Sequence, residues 1–158
     1  MDLSEATDLA VKLMTQHSLF ERGWRFEYDF AKRRFGQCNY KTRTIKLSAE
    51  LTIRNSAEQV RDTILHEIAH ALTPGAKHGE RWRAKAAEIG CTAERCYSSK
   101  TVVTPEPKII YVCPNCGLQY KRLRRSARMD RSACLLCCNN YNNGRFSEQF
   151  RFQTKPNP

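Results

Sequence analysis

The chain has 158 residues and a net charge of +11 at pH 7, so it has room for one domain with a small appendage and should favour acidic partners such as nucleic acid. It has no apolar run near the roughly 18 residues of a membrane span, and its acidic N-terminus lacks the basic start of a signal peptide. We therefore expect a cytoplasmic protein without membrane association. Because that compartment is reducing, the eight cysteines are expected to be metal ligands or free thiols rather than disulfides.

The first hundred residues have the pattern of a mixed α+β domain. Apolar residues at helical spacing and strictly alternating segments follow one another along this part of the chain. Helices are predicted over 3–20, 56–72 and about 79–89, and strands over 24–30, 33–40 and 42–48. The 56–72 helix has the strongest signals, because Ser56 and Gln59 form a capping box before its apolar face and Pro74 follows its end.

Four histidines occur in the chain, and three of them have the spacing of metal ligands. His66 and His70 are four residues apart on the predicted helix, so both imidazoles lie on one face and can reach one zinc ion. His78 follows a Pro-Gly turn and is the plausible third ligand, whereas His17 has no partner nearby in the sequence. Glu67 lies about 100° around the helix from His66, where its carboxylate can take the proton of an attacking water as the general base.

The chain resembles the SprT-like metalloprotease family, which includes the Spartan proteases of DNA–protein crosslinks. The segments RRFGQCNY, TIKLS, HEIAH and HGERW match the family pattern in order, and the resemblance covers about residues 1–96. It implies a zincin-like metalloprotease domain in which His66, His70 and His78 bind the catalytic zinc. It also implies that Glu67 is the catalytic acid and base, and that the substrate is protein bound or crosslinked to DNA.

Two Cys-x-x-Cys pairs, separated by seventeen residues, predict a second zinc site. Cys113 with Cys116 and Cys134 with Cys137 each form a tight knuckle, and two facing knuckles give four thiolates around a tetrahedral ion. Such a closed site is structural. Cys138 leaves open which cysteine of the second pair is the ligand, although the spacing favours Cys137. Similar ribbons follow the protease domain in bacterial SprT-like proteins.

The three remaining cysteines carry weaker signals. Cys91 and Cys96 form a looser pair that can bind metal or simply pack, with packing favoured, and Cys38 is expected in the core. The predicted organisation is a metalloprotease domain over 1–98, a linker over 99–108 and a small β zinc ribbon over 109–153. The ribbon strands are expected within 109–112, 118–123 and 145–152.

A basic segment lies between the two cysteine pairs. Its six cationic residues are Lys121, Arg122, Arg124, Arg125, Arg128 and Arg131. Basic residues beside aromatic ones suit single-stranded or partly unpaired DNA, bound without sequence specificity, although most charge runs are simply solvated. If this segment does not bind, the basic residues of the first domain, Lys32, Arg33 and Arg34, are the next candidates.

Together these features predict a monomeric zinc metalloendopeptidase with two zinc ions per chain, one catalytic and one structural. The expected substrate is protein on DNA. The expected location is the cytoplasm, or the nucleoid or nucleus if the protein is directed to DNA. The alternative is a non-catalytic nucleic-acid-binding or regulatory protein that keeps the protease fold. The intact Glu67 favours the enzyme, because this residue contributes nothing to the ligand count and would be expected to be lost first.

Overall fold

The computed structural model describes residues 1–92 and 102–157, and it confirms the predicted α+β class. The chain divides into two units, Met1–Thr104 and Pro105–Pro158, each with its own sheet and buried core. Cys96 and the predicted start of the linker at residue 99 lie outside the described residues. None of the helices in the described part of the chain has the length and hydrophobicity needed to span a bilayer.

The first unit packs helices on a three-stranded mixed sheet. Its elements are α1 (Leu3–Gln16), β1 (Arg25–Asp29), β2 (Gly36–Asn39), β3 (Thr44–Ser48), α2 (Ala49–Arg54), α3 (Ala57–Leu72) and α4 (Glu80–Glu88). The strand order is β1-β3-β2, with β1 parallel and β2 antiparallel to the central strand β3. Strand β2 is therefore an edge strand, and α3 packs against it.

Helix α3 is the centre of the first core. Ser56 caps it and Gln59 completes the reciprocal hydrogen bonds, which confirms the predicted capping box. Its predicted apolar face is buried, with Val60, Ile64, Leu65, Ile68 and Ala69 fully enclosed. The helix ends at Leu72, and the hydroxyl of Thr73 donates to the carbonyl of Ala69 at 2.7 Å. This packing fixes the face that carries the histidines.

One helix boundary and one whole helix of the first unit differ from the prediction. Helix α1 ends at Gln16 rather than at residue 20, because Ser18 takes a left-handed conformation and Leu19 N–H bonds back to the Met14 carbonyl. Helix α2 has no counterpart among the predictions. Ser48 ends β3 and accepts a hydrogen bond from Leu51 N–H, so the strand passes directly into the helix.

The second unit is a small antiparallel sheet with short helices. Its elements are β4 (Ile109–Val112), β5 (Gln119–Arg122), α5 (Ala127–Asp130), α6 (Leu135–Asn142), a 3-10 turn (Glu148–Phe150) and β6 (Gln153–Pro156), with strand order β5-β4-β6. The strand predicted over 145–152 is wrong. Phe150 and Phe152 are buried as an alternating strand would have them, but the 3-10 turn and a single bridge at Arg151 place them there.

Candidate metal centres

Three histidines of the first unit converge on one point. His66 and His70 project from α3, and His78 comes from the turn that precedes α4. The Nε2 atom of His78 lies 3.1 Å from Nε2 of His66 and 3.1 Å from Nε2 of His70. Each of the three side chains is half-buried, so the group has one open side. The structure thus brings together all three predicted ligands.

The histidine group fits a zinc ion. Tetrahedral zinc with ligand nitrogens at about 2.0–2.1 Å sets neighbouring nitrogens about 3.3 Å apart, close to the spacing found here. Metal binding also requires neutral imidazoles. Burial lowers the pKa of His66 to about 4, assisted by the nearby His78, and burial with both neighbouring histidines lowers the pKa of His70 to about 4. These two rings are therefore neutral at pH 7.

Glu67 lies beside the histidines and is 7% exposed. Burial raises the pKa of its carboxyl group to about 8, against the opposing effects of a hydrogen bond from the backbone of Cys38 and the positive charge of Arg34. The residue belongs to α3, yet its carboxylate is covered by β2. Its setting is accordingly made by tertiary packing rather than by the helix alone.

β2 also approaches Glu67 closely at Gly36. A Cβ at this position would lie 2.6 Å from Oε1 and 2.8 Å from Cγ of Glu67, and 2.9 Å from Cγ2 of Thr63. Such distances are well inside van der Waals contact, so the strand can cover the carboxylate only because residue 36 has no side chain. In the sequence, Gly36 is a turn signal and part of the RRFGQCNY segment, but neither feature shows that it meets Glu67.

The histidines open into a cleft of about 1220 Å³ within the first unit. Tyr40, at the end of β2, lines it and donates its hydroxyl to the backbone carbonyl of His70 at 3.0 Å. Trp82, in the first turn of α4, is fully buried and contacts all three histidine rings. Neither interaction follows from the sequence, because both are tertiary. The only sequence signal is the position of Trp82 in the HGERW segment.

Four cysteines of the second unit also converge. They are Cys113, Cys116, Cys134 and Cys137, whose Sγ atoms all lie within 4.8 Å of one another. The Sγ atoms of Cys113 and Cys137 are 3.7 Å apart, as are those of Cys116 and Cys134, and tetrahedral zinc with Zn–S bonds near 2.3 Å requires about 3.8 Å. Cys138 is buried but lies outside the group, so the geometry favours Cys137 as the ligand.

The first knuckle is prepared for a thiolate. Gly117 has a φ of 73°, and its N–H donates to the Cys113 carbonyl at 3.0 Å, which closes the turn. Burial raises the pKa of Cys113, but hydrogen bonds from the backbone of Cys116 and Asn115 and from the neighbouring thiols outweigh it and lower the pKa to about 7. A thiolate stabilised in this way suits a metal ligand.

The six basic residues of the segment between the knuckles fall into two groups. Arg125 donates to Asp130 at 3.1 and 3.2 Å, Arg131 donates to the Ala127 carbonyl, and Arg122 donates to the Lys121 carbonyl while lying over the Tyr120 ring. The side chains of Lys121, Arg124 and Arg128 are exposed, and within the described part of the chain they have no hydrogen bond or ion pair. The second group is available to a ligand.

His17, Cys38 and Cys91 lie outside the two ligand groups of the described residues. His17 lies at the end of α1, apart from the histidine group. Cys91 is buried and its thiol donates weakly to the Asp62 carbonyl at 3.7 Å, as expected for a packed residue. Cys38 lies on β2, and burial raises the pKa of its thiol to about 12. It is partly buried beside the cleft rather than in the centre of the core.

An α+β unit with three converging histidines, two of them from a His-Glu-x-x-His helix, defines a metal-binding domain of the zincin-like class. A model of the SprT-like family matches residues 6–103, which is more than half of the chain. The chain belongs to the SprT-like family.

One curated relative is the Germ cell nuclear acidic-1 protein of Caenorhabditis elegans, which is 32% identical over 120 residues. The match covers 65% of this chain and 21% of that protein, so this chain spans about a fifth of its relative's length. Among solved structures, the metallopeptidase zymogen jannalysin of Methanocaldococcus jannaschii has a TM-score of 0.46 and 19% identity, with coverage of 60% of this chain and 84% of that chain.

Proposed function

We propose that the protein is a zinc-dependent endopeptidase that acts on proteins bound or crosslinked to DNA. The observation that carries the proposal is the convergence of His66, His70 and His78 beside the carboxylate of Glu67 in an open cleft. Three protein ligands leave a fourth position of a tetrahedral ion open, as in catalytic zinc sites. Family membership and the ligand group both support a metallopeptidase-type function.

The residues divide the work of peptide hydrolysis between them. A zinc ion in this site supplies a Lewis acid for the scissile carbonyl and lowers the pKa of water. The three imidazoles hold the ion. The carboxyl group of Glu67 acts in its ionised form, which a cation bound beside it would favour against the effect of burial. It accepts the proton of the attacking water as the new C–O bond forms, and it then donates that proton to the leaving amine nitrogen as the C–N bond breaks.

The proposed partner is single-stranded or partly unpaired DNA, bound without sequence specificity. The support is the net charge of +11, the exposed Lys121, Arg124 and Arg128, and the partly exposed aromatic ring of Tyr120, which precedes Lys121 on β5. Phosphates would provide the affinity and bases would stack on aromatic rings. A protein with these partners acts in the nucleus or on the nucleoid, and the name of the C. elegans relative, a nuclear protein, agrees with the first location.

Metal analysis and proteolysis test the proposal together. The purified monomer should contain two zinc ions and should cleave a DNA-bound protein faster than the same protein without DNA. His78→Ala should lose the zinc ion of the histidine site together with the cleavage activity, whereas Cys113→Ser should lose the zinc ion of the cysteine site. Elemental analysis with a gel-based cleavage assay measures both results. If the wild type binds one zinc ion per chain, one of the two proposed metal centres is wrong. If the metal-loaded wild type does not cleave the substrate, the alternative of a non-catalytic DNA-binding protein is favoured.

The proposed DNA-binding surface is tested by comparing two double variants that remove the same number of positive charges. Arg124→Gln with Arg128→Gln should weaken binding to single-stranded DNA similarly for all sequences, because phosphate contacts carry no base information. The slope of log affinity against log salt should fall by about 0.7 for each phosphate that the variant no longer neutralises. Titration by fluorescence anisotropy at several salt concentrations measures both effects.

The control is Arg125→Gln with Arg131→Gln, which removes the same charge from side chains that already have partners. Its salt slope should change less. If the two double variants lose DNA affinity equally, the loss results from the change in net charge and not from particular phosphate contacts. An unchanged slope in both would exclude this segment and leave Lys32, Arg33 and Arg34, of which Lys32 and Arg34 pair with Glu50 and Asp29.

A further inference from the structure

Trp82 forms one wall of the histidine site. Its ring centroid lies 4.7 Å from that of His66, 5.2 Å from that of His70 and 4.7 Å from that of His78. The indole stacks on His70 at an interplanar angle of 30° and meets the other two rings at 61° and 79°. The side chain is fully buried. A single residue thus contacts every proposed ligand of the metal.

The orientation of the histidine rings needs support from packing, because two of the rings lack the hydrogen bond that usually fixes a histidine ligand. A histidine ligand generally donates its second ring N–H to a carboxylate or carbonyl, which fixes the orientation of the ring. In residues 1–92 and 102–157, the ring nitrogens of His66 and His70 have hydrogen bonds only with Nε2 of His78. A different constraint must therefore set the angles of these two rings.

The indole nitrogen gives a second indication. Nε1 of Trp82 is buried and has no hydrogen-bond partner among the described residues. A buried indole normally finds a partner for its N–H, so the residue is not placed here by a hydrogen bond. Its flat faces and edges make the contacts. This favours a role for the aromatic surface itself.

We propose that Trp82 is a positioning residue that orients the three imidazoles by ring packing and thereby sets the affinity of the site for its metal. The inference rests on the proposed zinc site but not on proteolysis. Trp82 reaches both ligand-bearing segments, because it lies four residues after His78, in the first turn of α4, and contacts the rings of His66 and His70 on α3. It holds the turn-borne ligand against the two helix-borne ones.

Three substitutions separate ring packing from simple bulk. Trp82→Phe keeps an aromatic face and loses an N–H that has no partner among the described residues. Trp82→Met fills space with a flexible chain, and Trp82→Leu removes the plane and more volume. Removal of an orienting partner of a metal ligand typically weakens binding by about 10–100-fold, which is the effect expected for Met and Leu. The Phe variant should stay within a few-fold of the wild type.

Cobalt titration of the metal-free protein, in competition with a chelator, tests this. Thiolate-to-cobalt absorption reports the cysteine site, and the weaker visible bands absent from His78→Ala report the histidine site. The Met and Leu variants should lose cobalt affinity only at the histidine site. Their circular dichroism spectra should match that of the wild type, which shows that they are folded. Leu19→Ala is the control, because Leu19 is equally buried in the same core but lies in the turn after α1, outside α3 and outside the segment that carries His78.

The outcomes distinguish the two proposals. If a folded Met or Leu variant binds cobalt at the histidine site as tightly as the wild type, the role of Trp82 is refuted. If Phe and Met weaken cobalt binding at the histidine site equally, ring packing is not the cause of the weakening. If Leu19→Ala weakens it as much, the cause is general destabilisation of the core. Should the Leu variant fail to fold, the comparison of Phe with Met decides. A wild type without cobalt at the histidines would overturn the metal site itself, and the role of Trp82 with it.

Discussion

Glu67→Gln is expected to abolish proteolysis while leaving both metal ions in place. The amide has the shape of the carboxyl group but cannot accept a proton, and no metal ligand is changed. Removal of a general acid and base typically lowers the rate by about 10²–10⁴-fold. The free energy of unfolding should not fall, because the substitution replaces a buried ionisable group with a neutral one. Turnover of a DNA-bound protein substrate, zinc content and thermal unfolding provide the three measurements.

The control for Glu67→Gln is Glu21→Gln. Glu21 is exposed in the turn after α1 and is not among the residues that line the cleft, so the substitution removes a carboxyl group without touching the buried one. Its turnover should match the wild type. Full activity in a zinc-loaded Glu67→Gln protein would remove this residue from the mechanism, and activity lost together with zinc would point to a damaged metal site instead.

Gly36→Ala should be the most harmful single-methyl change near the site. The new Cβ would meet two atoms of Glu67 and the methyl group of Thr63 at under 3.0 Å, so the carboxylate, the strand or the helix must move. Overpacking of this kind typically costs about 1–3 kcal/mol in the free energy of unfolding. A misplacement of about 1 Å can lower turnover by about 10²-fold. Zinc content should remain, since the histidines are untouched.

A second substitution separates lost stability from lost positioning. Thr63→Ser in the Gly36→Ala background removes the methyl group at 2.9 Å but leaves the clash with Glu67. The double variant should regain part of the unfolding free energy and little of the turnover number, measured as kcat apart from KM. If kcat were normal in Gly36→Ala, the close cover of the carboxylate would have no part in catalysis.

The ligand sets were predictable from the sequence because they obey local geometry. His66 and His70 are one helical turn apart, and the Cys-x-x-Cys pairs form knuckles whatever surrounds them. The strong cap at Ser56 and the apolar face of α3 made the helix itself predictable. Only His78 required an argument about a turn, and the Pro-Gly pair supplied it.

The surroundings of the ligands were not predictable, because they depend on contacts between distant segments. Gly36 and Tyr40 reach α3 from the edge strand, and Trp82 reaches it from α4. Nothing in the local sequence states which atoms a strand will face. The same limit explains the error at 145–152, where alternating aromatic residues are equally well buried by a 3-10 turn followed by a bridge.

The two halves of the site differ in how much chain must be closed to form them. The three histidines lie within thirteen residues, so only a short loop has to close around the metal. The strand that covers Glu67 lies 28 to 31 residues before it in the chain. A bound ion stabilises the helix and turn that hold it, by linkage. It does nothing directly for β2, a four-residue edge strand, and such elements open at a lower free energy than the core. Partial unfolding of β2 is therefore expected to stop the proposed proteolysis while the metal stays bound.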